Sequence, residues 1–534
     1  MNKILLLGDE AIAQAAIDAG ISGIYAYPGT PSTEITEYVA ASKEAKEKNV
    51  GAYWAANEKT AMEGAMGMSY AGKRAMTCMK HVGLNVAADA FINSAITGAN
   101  GGLVVVAADD PSMHSSQNEQ DSRFYGKFAM IPILEPAGQQ EAYDMVFHGF
   151  DISEKHGIPV LIRITTRLAH SRAGVAPKPK REQNTVRIPT NPKQFVLLPS
   201  IARQQYKRLL QQQSHFEADS ERSPFNVYID GTDKSLGIIA CGLAYNYLFE
   251  NFPDRVIPHP VLKIGQYPAP ANMIRRMYDE CDSILVLEDG YPLLEELIRG
   301  ILNHGKKIKG RLDGTVPRDG ELNPNIVAVA LGMKDEWGNP VPTIVAPRPP
   351  SLCKGCPHIY SYNALNQALE DYGKGRVFSD IGCYTLGALA PFDAINSCVD
   401  MGASITMAKG AADAGLTPAV AVIGDSTFAH SGITGLLDAV VDKANITVFI
   451  LDNATTAMTG GQPSAAQGRI EGVCQAIGVE VEHIHVINPI PKNHEENLKI
   501  MKKELAYPGV SVIIPRRECI VTATKKLKEK RKTE

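Results

Sequence analysis

The sequence predicts an α/β protein of three doubly wound domains, and three stretches of the chain carry that prediction. From Ile4 to about Arg167, short β-rich runs (GIYAYP, GLVVVAA, IPVLIRI) alternate with Ala-rich helical stretches (TAMEGAMGMSYAG, NVAADAFINSAITGA). That alternation is the pattern of a parallel sheet covered by helices on both faces. From about Asp230 to Val345 a second such pattern sets SLGIIACG and SILVLED as strands beside a helical GYPLLEELIRGIL. After APRPPSLCKGCPH a third pattern runs to Arg516, with AVAVIGDS and ITVFILDN as buried parallel strands that each end in a polar cluster. Ligands of such sheets lie outside the carboxyl ends of the strands, so these two clusters are expected to face one crevice.

The domains are accordingly expected at 1–175, 230–345 and 346–534. Residues 176–229 read as a linker, because Pro, Lys, Arg, Gln and Asn are plentiful there without a sustained period, with one helix near IARQQYKRLLQQQ. The opening MNKILLLGDEAIAQ has no small-residue cleavage site and reads as the first strand. The closing ATKKLKEKRKTE reads as a solvated basic helix end or a disordered terminus.

Composition narrows the function. The 534 residues include 54 Lys and Arg against 58 Asp and Glu, a net charge of -4, which gives no basic field for phosphate backbones. Nucleic acid is not an expected partner. Hydrophobic residues at 44% and charged residues at 21% match soluble globular proteins, and no apolar run reaches the roughly 20 residues that cross a bilayer. Nine cysteines, an odd number without a signal peptide, fit a reducing compartment, so a cytoplasmic protein with no membrane partner is expected. Cys78, Cys241, Cys281, Cys398 and Cys474 stand alone in apolar surroundings and read as small buried hydrophobes.

The chemistry concentrates between Gly424 and Asn453. An acid at the end of one strand, then a helix, then a strand ending in Asn describes a right-handed βαβ unit, which brings Asn453 back beside Asp425. Asp425, Asn453 and the backbone carbonyl near Thr455 would give a small octahedral cation such as Mg²⁺ its protein oxygens and leave the rest to phosphate. Gly424 permits close backbone approach, and the helix after Ser426 points its N–H groups at an anion. Four further cysteines stand apart from the isolated five. Cys353 and Cys356 form a C-x-x-C unit, and Cys383 and Cys519 follow at strand ends of the same sheet. Four thiolates converging in this way suit either zinc or an iron–sulfur cluster, and spacing alone leaves both open.

Longer strings then identify a family. YPGTPSTEI, WAANEKTAMEGAMGMSYAG, MKHVGLNVAADAF and ADDPSMHSSQNEQDSR in the first domain, with CKGCPH, SDIGCYTLG, GDS and DNATTAMTGGQ in the last, resemble the large-subunit family of indolepyruvate:ferredoxin oxidoreductase. This family lies within the thiamine diphosphate-dependent 2-oxoacid oxidoreductases, and the likeness runs through nearly the whole chain in order. Ser426 stands where thiamine enzymes generally have the second Gly of Gly-Asp-Gly.

The resemblance implies that the three domains are the pyrimidine-binding, transketolase C-terminal-like and diphosphate-binding thiamine folds. It places Glu58 against the cofactor's aminopyrimidine as the activating carboxylate, where residue type alone suggests an exposed first-turn glutamate. It sets Thr30 facing the substrate, where a plain turn residue before Pro31 is the alternative. His81 and His430 become candidates for proton handling or carboxylate binding, beside a purely structural role. Gly382, Cys383, Gly424, Asp425, Ser426, Asn453, Met458 and Thr459 become cofactor contacts, Met458 as a prop for the bent cofactor or as a simple core residue.

Asp425, Asn453 and Thr455 become the Mg²⁺ site, and Cys353, Cys356, Cys383 and Cys519 the ligands of a [4Fe-4S] cluster. The implied activity is oxidative decarboxylation of arylpyruvates to arylacetyl-CoA and CO₂, with coenzyme A as co-substrate. The implied partner is a small β subunit in a heterodimer or a dimer of heterodimers. Many large subunits of the family end in a ferredoxin-like module with repeated C-x-x-C-x-x-C-x-x-x-C, whereas this sequence stops 15 residues after Cys519 without one. Ferredoxin or another separate electron carrier is therefore expected to take the electrons. The alternatives are a non-oxidative thiamine-dependent decarboxylase, which needs no cluster, and an inactive scaffold subunit.

Overall fold

The computed structural model describes residues 3–533 apart from 188, 192–193, 196, 301–304, 318, 334–341, 347–349, 399–400 and 414. The end of the predicted helix GYPLLEELIRGIL, part of the break after Val345, and Glu534 lie outside the described residues. The chain divides into two compact units, residues 1–341 and 342–534.

The first unit is built on a seven-stranded sheet. Its spatial order is Gln266–Tyr267, Ile133–Leu134, Val160–Thr165, Leu103–Asp109, Ala75–Lys80, Gly23–Ala26 and Gly51–Trp54. All neighbours are parallel except the first pair. The central LVVVAAD strand is buried along its whole length, as a β-branched run covered on both faces should be. Helices Gly8–Asp18 and Gln139–His156 pack their Ala, Ile, Val and Phe side chains on one face, and Glu58–Tyr70 and His81–Thr97 cover the other. The chain start is a strand, as read, but it lies apart from the main sheet. Ile4–Leu7 pairs antiparallel with Arg172–Val175 in a separate two-stranded ribbon, outside the parallel sheet.

The middle segment forms a five-stranded sheet ordered Lys307–Lys309, Ser283–Leu287, Gly237–Cys241, Val261–Ile264 and Val227–Ile229. The segment read as a linker is substantially ordered. It contains the helix Pro199–Glu221, which buries Leu209 and Phe216, and it ends in the edge strand Val227–Ile229. Its polar composition belongs to the exposed surface of that helix. The Asn226 side chain accepts from the backbone N–H of Gly265 and Gln266, both at 2.9 Å, and so anchors the strand that the middle segment lends to the first sheet.

The two sheets of this unit are joined by buried charge. Arg163, only 1% exposed, reaches Asp109 at 2.7 Å, Glu135 at 2.6 Å and the Asp289 carbonyl at 2.8 Å. Fully buried Arg123 holds Asp121 and lies 3.0 Å from Glu288. Removing one cation from such a network strands carboxylates in low dielectric, which costs about 3–5 kcal/mol. Arg163→Met is expected to lose that amount in urea denaturation of the full chain. A loss below about 1 kcal/mol, the size of a surface pair, would show that the network is not structural.

The second unit carries a six-stranded, wholly parallel sheet ordered Ser397–Cys398, Val377–Ser379, Ala419–Gly424, Ile446–Leu451, Val510–Pro515 and Ile484–Ile487. AVAVIG and ITVFIL are buried throughout and pair as neighbours, with Gly424 opposite Leu451. Cys78, Cys241, Cys281 and Cys474 are buried, but Cys398 is exposed. It sits on the two-residue strand Ser397–Cys398, at the edge of the sheet among the described residues, and its Sγ faces the Asp380 carbonyl at 3.6 Å. Among the described residues, no helix is long and apolar enough to cross a membrane.

Candidate active site

In the first unit, four adjacent strands deliver their functional residues to one edge. Gly51–Trp54 leads to Glu58, Gly23–Ala26 to the Thr30 loop, Ala75–Lys80 to His81, and Leu103–Asp109 to Asp110. Glu58 opens the helix Glu58–Tyr70 behind an Asn57 cap, whose side chain accepts from the Thr60 N–H at 2.9 Å. Its side chain is buried rather than exposed, at 5%. The reason lies on the next helix, where a Cβ on Gly83 would stand 2.6 Å from Glu58 Oε1. Gly83 therefore makes the space that the carboxylate occupies.

His81 opens the helix His81–Thr97 and is 1% exposed. Its Nε2 meets Asn118 Oδ1 at 3.3 Å, while Nδ1 is buried without a hydrogen-bond partner among the described residues. Burial holds the imidazole below its usual range, so it is neutral near pH 7. Lys80, absent from the sequence reading, is the missed neighbour. It is 8% exposed, donates to the Ser115 carbonyl at 2.7 Å, and burial pulls its ammonium down to about 8. Ser115 Oγ in turn donates to the Thr30 carbonyl at 3.4 Å. Asp110 fixes this loop by accepting from Ser115 N at 2.8 Å and Thr166 Oγ1 at 2.7 Å. Thr30 is half-buried beneath it. The only sequence signal for Lys80 is its place at the end of the strand Ala75–Lys80, directly before His81.

In the second unit, Asp425 follows the strand Ala419–Gly424 directly and is 2% exposed. Its Oδ2 is buried with no hydrogen-bond partner among the described residues. Burial, with Asp452 adding to it, pushes the carboxyl up to about 7. An orphaned buried carboxylate oxygen fits a metal ligand. Asn453 and Thr455, also buried, stand at the end of the neighbouring strand, where the Thr455 N–H donates to Asn453 Oδ1 at 3.1 Å. Ala454 between them has φ 61, a left-handed kink that turns the backbone at this point. The donor set of carboxylate, amide oxygen and backbone carbonyl suits Mg²⁺.

Gly424 and Gly382 both border Tyr384. A Cβ on either would stand 2.5 Å or 2.2 Å from its ring, which is why neither carries one. Ser426 Oγ lies 2.8 Å from Thr456 Oγ1, and Gln462 Nε2 donates to the Thr459 carbonyl at 2.7 Å, so the DNATTAMTGGQ loop is internally braced. Met458 on that loop is 59% exposed, which sets aside the alternative of a core methionine. His430 is buried and hydrogen-bonded to Ser431.

The four cysteines converge. Cys356 N donates to the Cys353 carbonyl at 2.9 Å, and Gly355 between them, at φ +79, packs towards Ile520 beside Cys519. The Cys519 N–H donates to the Asn453 carbonyl at 3.1 Å, which ties the thiols to the Asp425–Asn453 edge. Burial, with the charges of Cys356, Cys519 and Cys353 adding to it, pushes the Cys383 thiol up to about 12. Burial likewise pushes Cys356 up to about 11. Mutual repulsion of four thiolates is what a bound cation or cluster relieves. One zinc ion would gather four sulfurs to about 4 Å of one another, whereas a four-iron cube holds them further apart. No three of these thiols gather within 4.8 Å among the described residues.

Residues 14–228 match the family model described as pyruvate flavodoxin/ferredoxin oxidoreductase, thiamine diphosphate-binding, and residues 380–514 match the thiamine pyrophosphate enzyme C-terminal binding domain. Fold and matches together define a thiamine diphosphate-dependent oxidoreductase. Indolepyruvate oxidoreductase subunit IorA of Archaeoglobus fulgidus is 40% identical over 97% of this chain and 87% of its own length. That of Methanothermobacter thermautotrophicus is 38% identical over 98% and 88%. The chain belongs to the indolepyruvate oxidoreductase subunit IorA family. Among solved structures, 2-oxoglutarate:ferredoxin oxidoreductase from Magnetococcus marinus superposes with a TM-score of 0.48 at 17% identity, over 58% of this chain and 62% of that one.

Proposed function

We propose that this chain is the large catalytic subunit of a cytoplasmic 2-oxoacid oxidoreductase. It converts arylpyruvates and coenzyme A to arylacetyl-CoA and CO₂ and passes the two electrons one at a time through a [4Fe-4S] cluster to ferredoxin or a similar carrier. The aryl preference rests on the name of its relatives, which are indolepyruvate oxidoreductase subunits. That name also supports a second subunit, proposed as a small β chain in a heterodimer or dimer of heterodimers.

Bound thiamine diphosphate supplies the electron sink for loss of CO₂. The chain's residues do the rest. Glu58 presents a buried carboxylate to the aminopyrimidine, and Asp425, Asn453 and the Thr455 carbonyl hold Mg²⁺ on the diphosphate. Gly382, Gly424, Ser426, Met458 and Thr459 shape the wall, and Thr30 and neutral His81 meet the substrate. Cys353, Cys356, Cys383 and Cys519 hold the cluster, with Cys383 also lining the cofactor site.

The observation that supports the oxidative reading is the hydrogen bond from Cys519 N to the Asn453 carbonyl, which holds the backbone of one of the four cysteines next to a proposed Mg²⁺ ligand. A non-oxidative decarboxylase has no use for four thiols there. Iron and acid-labile sulfide on protein purified without oxygen test it. About four irons per chain, lost in Cys519→Ala, are expected. Neither iron nor sulfide, with CO₂ release intact, would favour the decarboxylase.

A further inference from the structure

Asp9, Glu34 and His170 form a group of ligand-type side chains that this chemistry leaves unused. Asp9 is the second residue of the helix Gly8–Asp18, Glu34 the second of Thr33–Ala41, and His170 the last of Thr166–His170. One ligating atom from each lies within 4.8 Å of the other two. His170 Nε2 stands 3.6 Å from Glu34 Oε1. Asp9 forms the floor. It is fully buried, and neither of its carboxylate oxygens has a hydrogen-bond partner among the described residues. Glu34 Oε2 is buried and unpartnered as well. The rim is open, because the His170 and Glu34 side chains are 36% and 37% exposed.

A buried carboxylate without donor or cation is costly, and the cost is relieved either by keeping its proton or by a partner of opposite charge. The neighbouring charges make matters worse, since Glu34 and Glu10 both act on Asp9 as like charges. His170 is already engaged with Glu34. We propose that Asp9, Glu34 and His170 bind a divalent transition-metal cation. Two carboxylates and one imidazole are a donor set that Mn²⁺ and Zn²⁺ accept. Bound there, the cation ties together the ends of three helices. One of them begins at the Thr30 loop, where Gly29 N donates to Thr33 Oγ1 at 3.0 Å. The cation thus fixes the loop that carries Thr30, and it does so whatever the substrate proves to be.

Mn²⁺ is the discriminating probe, because thiolates prefer softer ions. The full-length Asp425→Ala protein, with its cluster, is stripped by chelator and titrated with Mn²⁺ without thiamine diphosphate. The expected result is one Mn²⁺ per chain, with spin-echo modulation from one coordinated imidazole nitrogen. His170→Gln, at an exposed helix end where folding is not at stake, is expected to lose the nitrogen modulation and weaken binding at least about tenfold. Asp9→Asn, which keeps shape and removes charge, is expected to abolish binding. No bound Mn²⁺ at millimolar concentration, or Mn²⁺ bound equally by the His170→Gln protein, would overturn the proposal.

Discussion

Glu58→Gln is expected to keep thiamine diphosphate bound at one per chain while turnover falls roughly 10²- to 10⁴-fold, the range spanned by a positioned acid–base group. The amide has the volume of the carboxylate, so the space left by Gly83 stays filled and the Asn57-capped helix is undisturbed. What is lost, in the proposed role, is a buried carboxylate that accepts a hydrogen bond from the ring nitrogen protonated in the imino tautomer. In energy the drop corresponds to about 3–5 kcal/mol of transition-state stabilisation. The check is kcat with an arylpyruvate and coenzyme A under anaerobic conditions, beside cofactor content and a melting curve. Turnover within about threefold of wild type would remove Glu58 from the chemistry. Gly83→Ala gives an independent reading of the same pocket. A methyl group 2.6 Å from Glu58 Oε1 must displace the carboxylate, so turnover should suffer although no ionisable group has changed.

Glu58 also marks the boundary of what sequence reveals. Local pattern makes it a first-turn helix residue, and such residues are ordinarily exposed. Its burial is decided by a glycine on another helix, a contact that no periodicity encodes. Lys80 and Asn118 stayed hidden for the same reason, since Lys80 meets Ser115 and Asn118 meets His81 only once the loop carrying Ser115 and Asn118 has folded back. The sheets were legible because unbroken runs such as LVVVAAD and ITVFIL can satisfy their backbones and bury both faces only inside a parallel sheet. The helix Pro199–Glu221 was legible near IARQQYKRLLQQQ but not in its full length, because its buried face is narrow and its Gln- and Arg-rich surface resembles a linker. The exposure of Cys398 depends on which strand lies at the edge, and strand order is a property of the assembled sheet. Asp425 and Asn453 were readable together because a right-handed βαβ connection leaves little choice about where the second strand goes.

That adjacency sets the second large effect. Asp425→Ala is expected to abolish Mg²⁺ and thiamine diphosphate binding, and the intact protein should reveal the same carboxylate through pH. Without metal, burial first and Asp452 second push Asp425 up to about 7. An acid whose folded pKa is raised holds its proton more tightly in the folded state. The metal-free unit therefore gains stability as pH falls from about 7 towards the unfolded value near 3.9. Mg²⁺ needs the ionised form, so metal and proton compete for Oδ2, the oxygen with no other partner. Affinity for Mg²⁺ with thiamine diphosphate should fall about tenfold for each pH unit below about 7 and level off above it. Calorimetric titration near pH 6 should release about one proton per metal bound. Stoichiometric cofactor in Asp425→Ala would show that the metal is held elsewhere. Affinity that stays flat through pH 7 would show that the carboxylate is already ionised before the metal arrives, so that its burial is relieved by a group other than the cation.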